Sequence, residues 1–251
     1  MTPFRLLAVL LALALPLPAS AAEILVSAAA SLTNAFRDIG RRFEATHPGD
    51  TVVFNFAASD VLLAQIDKGA PADVFASADE ETMDRAERSN RLAHGTRRDF
   101  ASNRLVLVVP RGAAAIASVD ALNDDRVKRV AIGSPETVPA GRYARDALQQ
   151  AGAWAALQRK LVLAQNVRQV LDYVARREVE AGLVYNTDAA IMPDRVTVTA
   201  TPREARQVRY PIAALAGSRQ AQIAGDFVAF VAGSEGHAIL EKYGFLPADA
   251  P

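Results

Sequence analysis

The chain has 251 residues, of which 51% are hydrophobic, and its 28 basic and 28 acidic side chains cancel in charge. This length and apolar content suit one large domain or two smaller ones, and the balanced charge argues against nucleic acid or an acidic membrane surface as a partner. Without cysteine the chain forms no disulfide and no thiolate metal site, and its three histidines lie far apart with no ligand-type spacing.

The first 22 residues have the pattern of a secretory signal peptide. Arg5 gives a short positive start, Leu6–Leu15 is a run of Leu, Ala and Val, and Ala19-Ser20-Ala21 is a small-residue cleavage site. The apolar run is too short to span a bilayer comfortably. We therefore expect residues 1–22 to be removed and the mature chain to be soluble in the periplasm. Because no cysteine is available for acylation, we do not expect a lipoprotein.

Strand and helix patterns alternate along the rest of the chain, which predicts an α/β fold with mostly parallel sheets. Short apolar runs predict strands at Ile24–Val26, Thr51–Phe56, Asp73–Ala76, Leu105–Pro110, Arg129–Gly133, Leu161–Leu163, Ala181–Tyr185, Arg195–Thr199 and Tyr210–Leu215. Apolar residues at helical spacing predict a helix capped by Ser31 and further helices at Asp60–Lys68, Asp79–Arg88, Gly141–Gln150, Val167–Arg177, Arg219–Val231 and Gly236–Tyr243.

The order of these elements predicts two lobes, the first interrupted by the second. We expect residues 23–105 and 212–251 to form the first lobe and residues 106–211 to form the second, with a ligand cleft between them. The chain is expected to cross between the lobes near Arg104–Leu107 and again near Arg209–Ile212.

Small or polar residues follow several predicted strands at the points where helices begin. Such stretches are Ser31, Ala57-Ala58-Ser59, Val138-Pro139-Ala140-Gly141, Gln165-Asn166-Val167 and Tyr185-Asn186-Thr187. In an open α/β sheet, ligands bind beyond the carboxyl ends of the strands, and a helix start offers unpaired N–H groups to an anion. These stretches together predict a cleft lined with helix N-termini. The nucleotide-binding, zinc-protease and nucleophile-elbow motifs are all absent from the sequence.

Six further motifs occur in this order: Ala28-Ala29-Ala30-Ser31-Leu32-Thr33, Gly69-Ala70-Pro71-Ala72-Asp73-Val74, Val138-Pro139-Ala140-Gly141-Arg142-Tyr143-Ala144, Asn166-Val167-Arg168, Leu183-Val184-Tyr185 and Lys242-Tyr243-Gly244-Phe245. Together they resemble the motifs of the periplasmic molybdate-binding proteins of ABC transporters. The resemblance covers essentially the whole mature chain. It implies the type II periplasmic-binding fold, in which two lobes close on the ligand.

The resemblance also implies a function and a set of ligand-binding residues. The family holds its oxyanion with two serines, two backbone amides and a tyrosine, and none of these groups is positively charged. Carried onto this sequence, they are Ser31, Ser59, the N–H groups of Ala140 and Val167, and Tyr185. The chain is then expected to be a monomeric receptor that delivers molybdate, and tungstate, to an inner-membrane ABC permease. It is not expected to be an enzyme, to need a cofactor, or to bind a metal beyond the molybdenum of the oxyanion.

Two residues depart from the family pattern. Asp60 follows Ser59 where a small neutral residue is expected, and its carboxylate is interpreted as capping its own helix. Asn166 replaces an acidic residue before Val167, and it too is expected to cap a helix.

Two other functions stay open at this point. One is a receptor for sulfate or phosphate, and Asp60 favours phosphate because a carboxylate accepts the proton of hydrogen phosphate. The other is a secreted serine hydrolase with Ser31 or Ser59 as its nucleophile, although no histidine lies near either serine in sequence.

Overall fold

The computed structural model of the chain describes residues 22–202 and 207–249. Apart from its last residue, Ala22, the predicted signal peptide therefore lies outside the described residues. The strands are β1 Glu23–Ala29, β2 Thr51–Ala57, β3 Val74–Ala76, β4 Arg98–Asn103, β5 Leu105–Pro110, β6 Val130–Gly133, β7 Leu161–Ala164, β8 Ala181–Tyr185, β9 Val196–Ala200 and β10 Val208–Ala214. The helices are α1 Thr33–Thr46, α2 Ser59–Asp67, α3 Glu80–Arg88, α4 Pro139–Gln150, α5 Trp154–Leu157, α6 Val167–Ala175, α7 Asn186–Ala190, α8 Ala221–Val231 and α9 Ser234–Lys242.

The strands form two five-stranded sheets flanked by helices, which confirms the predicted α/β architecture. The first sheet has the order β2-β1-β3-β10-β4 and the second the order β7-β6-β8-β5-β9. In each sheet four strands run in one direction, while β10 in the first and β5 in the second run in the opposite direction. The carboxyl ends of β1, β2 and β3 therefore share one edge of the first sheet, and those of β6, β7 and β8 share one edge of the second.

The chain passes from the first sheet to the second through Arg104, between β4 and β5, and returns between β9 and β10. The predicted lobe boundary at 105/106 falls just inside β5, and the one at 211/212 falls inside β10. We propose that each sheet is the core of one lobe. The chain then crosses between the lobes in the β4–β5 and β9–β10 connections.

The core of the first sheet is built around phenylalanine side chains. Phe36 and Phe43 lie on the same face of α1, two turns apart, and are fully buried, as their spacing predicts. The ring of Phe36 lies 5.7 Å from that of Phe100, and the ring of Phe43 lies 5.2 Å from that of Phe227 on α8. These contacts fix α1, and with it the turn that follows β1, against the sheet.

Among the strands and α-helices of the described residues, β4 and the short helices α5 and α7 escaped prediction. In β4 only Phe100 and Ala101 are apolar, and its buried Ser102 and Asn103 hide the strand pattern. Within the described residues no single helix is long and apolar enough to cross a membrane, and α8 with α9 qualifies only as a pair bent by 56°.

Candidate functional site

A small cavity lies between the carboxyl edges of the two sheets. The space it encloses is only about 10 Å³, roughly that of one water molecule, so a ligand of even a few heavy atoms requires the lining to move apart. All five predicted ligand residues line it. The complete lining is Ala29, Ala30, Ser31, Ala58, Ser59, Ala78, Val138, Pro139, Ala140, Asn166, Val167 and Tyr185.

Helix starts from both sides of the cleft point at this cavity. Ser59 is the first residue of α2, Ala140 is the second residue of α4, and Val167 is the first residue of α6. Backbone N–H groups in the first turn of a helix have no partner within that helix, and they carry the positive end of its dipole. The cavity is therefore surrounded by fixed hydrogen-bond donors.

The start of α4 lies unusually close to β6, and two glycines allow it. A Cβ atom at Gly141 would lie 2.1 Å from the carbonyl oxygen of Gly133 and 2.6 Å from its carbonyl carbon. Only a residue without a side chain fits this approach. The contact sets the position of the neighbouring Ala140 N–H at the cavity wall.

Ser31 does not cap α1, so that prediction is wrong. A 3-10 turn at Ala30–Leu32 precedes the helix, and Ser31 lies inside this turn without a capping hydrogen bond. Instead, its Oγ accepts a hydrogen bond of 3.2 Å from Tyr210 Oη on β10. Because the tyrosine supplies the proton of that bond, the hydroxyl proton of Ser31 is free to be donated into the cavity.

Ser59 is held in the same way from a different direction. Its Oγ accepts a 3.0 Å hydrogen bond from the backbone N–H of Ala78, and the side chain is fully buried. The hydroxyl proton of Ser59 is thus also left for a ligand. Both serines are oriented as donors by neighbours that occupy their acceptor side.

Two buried tyrosines keep their protons at neutral pH. Burial, followed by the charges around them, raises the pKa of Tyr185 and of Tyr210 well above the ordinary value. Tyr185 ends β8, and its Oη lies 3.5 Å from the carbonyl oxygen of Ala78, a long contact that a better acceptor can replace. Tyr210 does not line the cavity but supports Ser31. The sequence analysis did not identify Tyr210 as a supporting residue. The sequence feature that indicates such a role is a tyrosine within an apolar strand, because its buried hydroxyl needs a hydrogen-bond partner.

Among residues 22–202 and 207–249, no charged side chain lines the cavity. The described part of the chain also contains no group of three or more His, Cys, Asp or Glu side chains placed to hold a metal ion. An arrangement of hydroxyl and amide donors without a cation suits a compact anion that only accepts hydrogen bonds.

Asp60 does not cap α2, so that interpretation is wrong too. Ala58 occupies the N-cap position, and Asp60 is the second residue of the helix. Its carboxylate accepts hydrogen bonds from Arg142 Nη2 at 2.8 Å, Arg85 Nη2 at 2.5 Å and Thr82 Oγ1 at 3.2 Å. Two guanidinium groups stabilise a buried carboxylate more than a backbone cap does, and they hold it away from the cavity.

Asn166 caps α6 as predicted, because its Oδ1 accepts a 3.0 Å hydrogen bond from the Gln169 N–H. Two residues further on, Arg168 joins the two sides of the cleft. Its Nη2 donates to the carbonyl oxygen of Ser31 at 2.9 Å, and its Nε lies 2.6 Å from Oδ1 of the buried Asp188. Burial raises the pKa of Asp188, and the charge of Arg168 opposes that shift.

Comparisons with known proteins agree with this architecture. A family model described as "Bacterial extracellular solute-binding protein" matches residues 24–246. The molybdate-binding protein ModA of Escherichia coli K12 is 39% identical over 232 residues, which are 89% of this chain and 88% of ModA.

Two solved structures share the fold at lower sequence identity. The periplasmic molybdate-binding protein of Azotobacter vinelandii has a TM-score of 0.79 at 21% identity, over 89% of this chain and 98% of that one. The sulfate-binding protein SubI of Mycobacterium tuberculosis H37Rv also has a TM-score of 0.79, at 17% identity, over 91% of this chain and 88% of its own. The fold is thus common to receptors of different oxyanions, and the residues of the cavity must decide the ligand.

Proposed function

Because the chain belongs to the family of bacterial extracellular solute-binding proteins, we propose that its cavity captures molybdate, and tungstate, for uptake by an ABC transporter. The observation that carries this proposal is the convergence of two serine hydroxyls, two helix-start amides and a tyrosine on one uncharged cavity. The sequence similarity to the molybdate-binding protein of Escherichia coli over nearly the whole chain supports it.

The proposed ligands match these donors chemically. Molybdate and tungstate are fully deprotonated tetrahedral dianions at neutral pH, so all their oxygens accept hydrogen bonds and none donates. A donor to a charged acceptor contributes about 1.5–3 kcal/mol. Five such donors contribute about 7.5–15 kcal/mol, and the upper part of that range reaches sub-micromolar binding after a cost of association of about 4 kcal/mol is subtracted. Fixed dipoles also avoid the desolvation of a second full charge.

The protein is not an enzyme, since its family consists of solute-binding proteins. Ser31 and Ser59 also lack the partner that a catalytic nucleophile requires. Ser31 is bonded to a tyrosine and Ser59 to a backbone amide, and no histidine lines the cavity.

We further propose that the mature protein works in the periplasm as a monomer and docks on an inner-membrane permease. The signal-peptide pattern of residues 1–22 and the extracellular family support this location.

Calorimetric titration with molybdate, tungstate, sulfate and phosphate tests the proposed ligand. We expect molybdate and tungstate to bind with similar affinity. Hydrogen phosphate should bind far more weakly, because its O–H would lack an acceptor at a cost of about 1–3 kcal/mol, and Asp60 is already occupied by Arg142 and Arg85. Sulfate should also be weak, because it is smaller and fixed donors on both sides cannot all reach it. Sulfate or phosphate binding as tightly as molybdate would exclude the proposal.

The support of Ser31 by Tyr210 leads to a second prediction. Tyr210→Phe removes the hydroxyl that orients Ser31, so we expect molybdate affinity to fall by about 0.5–1.5 kcal/mol, up to roughly tenfold. Tyr243→Phe is the matched control, because it removes the hydroxyl bonded to Asp38 on α1, away from the cavity. Equal affinities of the two variants in calorimetry would show that Tyr210 does not position the serine.

A further inference from the structure

Next to the cavity lies a group of charges, here called the interlobe ion cluster, formed by the buried Asp60, Asp79 and Arg142 and the half-exposed Arg85. Arg142 Nη2 lies 2.8 Å from Asp60 Oδ2 and 2.5 Å from Asp79 Oδ2, and Arg142 Nε lies 3.1 Å from the same Asp79 oxygen. Arg142, Asp60 and Asp79 are 5%, 7% and 4% exposed. Ion pairs buried to this extent are rare and need a reason.

The cluster joins the two sides of the cleft. Arg142 lies on α4, which packs against β6 of the second sheet, whereas Asp60 on α2 and Asp79 before α3 belong to the first. Any separation of the two sides must break every contact of Arg142 with these carboxylates. Arg85 remains with Asp60 in that event, because both lie on the first side.

Three residues of the cluster are also close in sequence to residues that line the cavity. Asp60 follows Ser59, Asp79 follows Ala78, and Arg142 comes two residues after Ala140. With Arg142 in place, the two buried carboxylates are balanced by two guanidinium groups, and the solvent-exposed Glu81 adds a third carboxylate at 3.5 Å from Arg142 Nε. Without Arg142, one buried carboxylate charge is uncompensated beside a site that is to receive a dianion, and like charges repel strongly where water is scarce.

We propose that Arg142 is a positioning residue for oxyanion binding, which holds the two lobes together around the ligand and neutralises the carboxylates beside it. This inference rests on the proposed oxyanion function and explains the unexpected Asp60, since Asp60 and Arg142 are partners. Burial lowers the pKa of Arg142, but the charges and hydrogen bonds of Asp79 and Asp60 outweigh burial and raise it above the ordinary value. The guanidinium therefore stays charged at every physiological pH.

The test compares Arg142→Met, Arg142→Lys and Arg142→Met combined with Asp60→Asn, with Arg145→Met as the control on the same helix. Arg145 is half-buried and forms longer ion pairs, at 3.7 Å with Glu136 and 3.8 Å with Asp146. Affinity is measured by calorimetry with molybdate, the dissociation rate by stopped flow, and folding by thermal unfolding without ligand.

We expect Arg142→Met to weaken molybdate binding by about thirtyfold or more, mainly through faster dissociation. Adding Asp60→Asn should restore part of this loss, because it removes the uncompensated charge, and the two changes should not be additive. Arg142→Lys should lie between wild type and Arg142→Met, because it keeps the charge but not the planar fork. Arg145→Met should bind as wild type does.

An affinity of Arg142→Met within twofold of wild type, or no recovery on adding Asp60→Asn, would overturn the inference. If Arg142→Met does not fold, an unchanged dissociation rate in Arg142→Lys overturns it equally. The proposed function is judged separately on the wild type. If another anion of the panel binds in place of molybdate, that proposal fails, and the variants are then measured with the anion that binds. Wild-type protein that binds none of the four anions overturns both.

Discussion

Simultaneous replacement of Ser31 and Ser59 by alanine is expected to weaken molybdate binding by about 3–6 kcal/mol, a loss of two to four orders of magnitude. Each change removes one donor to a desolvated dianion, worth about 1.5–3 kcal/mol, and leaves the backbone of its helix start in place. The two hydroxyls are held by different partners, Tyr210 and the Ala78 N–H, so their effects should add approximately.

The single variants and a control complete this experiment. Ser31→Ala and Ser59→Ala should each cost about half of the combined effect in calorimetry. Ser102→Ala is the control, since this serine is fully buried but donates to the carbonyl oxygen of Pro247, outside the cavity lining. A single variant with wild-type affinity would remove that serine from the site.

The second large effect is expected for Gly141→Ala. The added methyl group would lie 2.1 Å from the Gly133 carbonyl oxygen, so α4 must move by more than 1 Å from β6. We expect about 3 kcal/mol of lost stability, which corresponds to a fall in Tm of roughly 6–12 °C for a chain of this length. The shift also carries the Ala140 N–H away from the cavity, so molybdate affinity should fall by at least about tenfold.

Gly225→Ala provides the matched comparison. Gly225 lies inside α8, and a Cβ there meets no atom within 4 Å. Alanine is favoured over glycine in a helix interior by about 0.5–1 kcal/mol, so this variant should be as stable as wild type or slightly more stable, with unchanged affinity. A Gly141→Ala protein with wild-type Tm and affinity would show that the contact between Gly133 and Gly141 is not required.

The parts of the fold and site that sequence reasoning predicted correctly are those set by local patterns. Within the described residues, apolar runs and helical spacing predicted nine of the ten strands and seven of the nine α-helices approximately where they lie. The carboxyl ends of parallel strands lie together in such sheets, so the helix starts at Ser59, Ala140 and Val167 were expected to be neighbours. The structure brings them to one cavity with Ser31 and Tyr185, whose roles as ligands stay a prediction.

The rest depended on contacts between residues distant in sequence. Tyr210 supports Ser31 from 179 positions away, and Arg142 reaches Asp60 across 82 positions. Asp60, considered alone, matched the pattern of a helix cap, because acidic residues favour the first turn of a helix. Its actual role requires the guanidinium groups of Arg142 on α4 and Arg85 on α3, which lie 82 and 25 positions away in the chain. No local pattern reveals such a pair, and the same holds for the polar strand β4.

Crystals of the mature protein with tungstate test the central claim most directly, because tungsten gives a strong anomalous signal that locates the anion without ambiguity. We predict one peak in the cavity, with tungstate oxygens within hydrogen-bond distance of Ser31 Oγ, Ser59 Oγ, the Ala140 and Val167 amides, and Tyr185 Oη. Arg142 should make no contact with the anion. A peak outside this cavity, or an anion held directly by a charged side chain, would contradict the account.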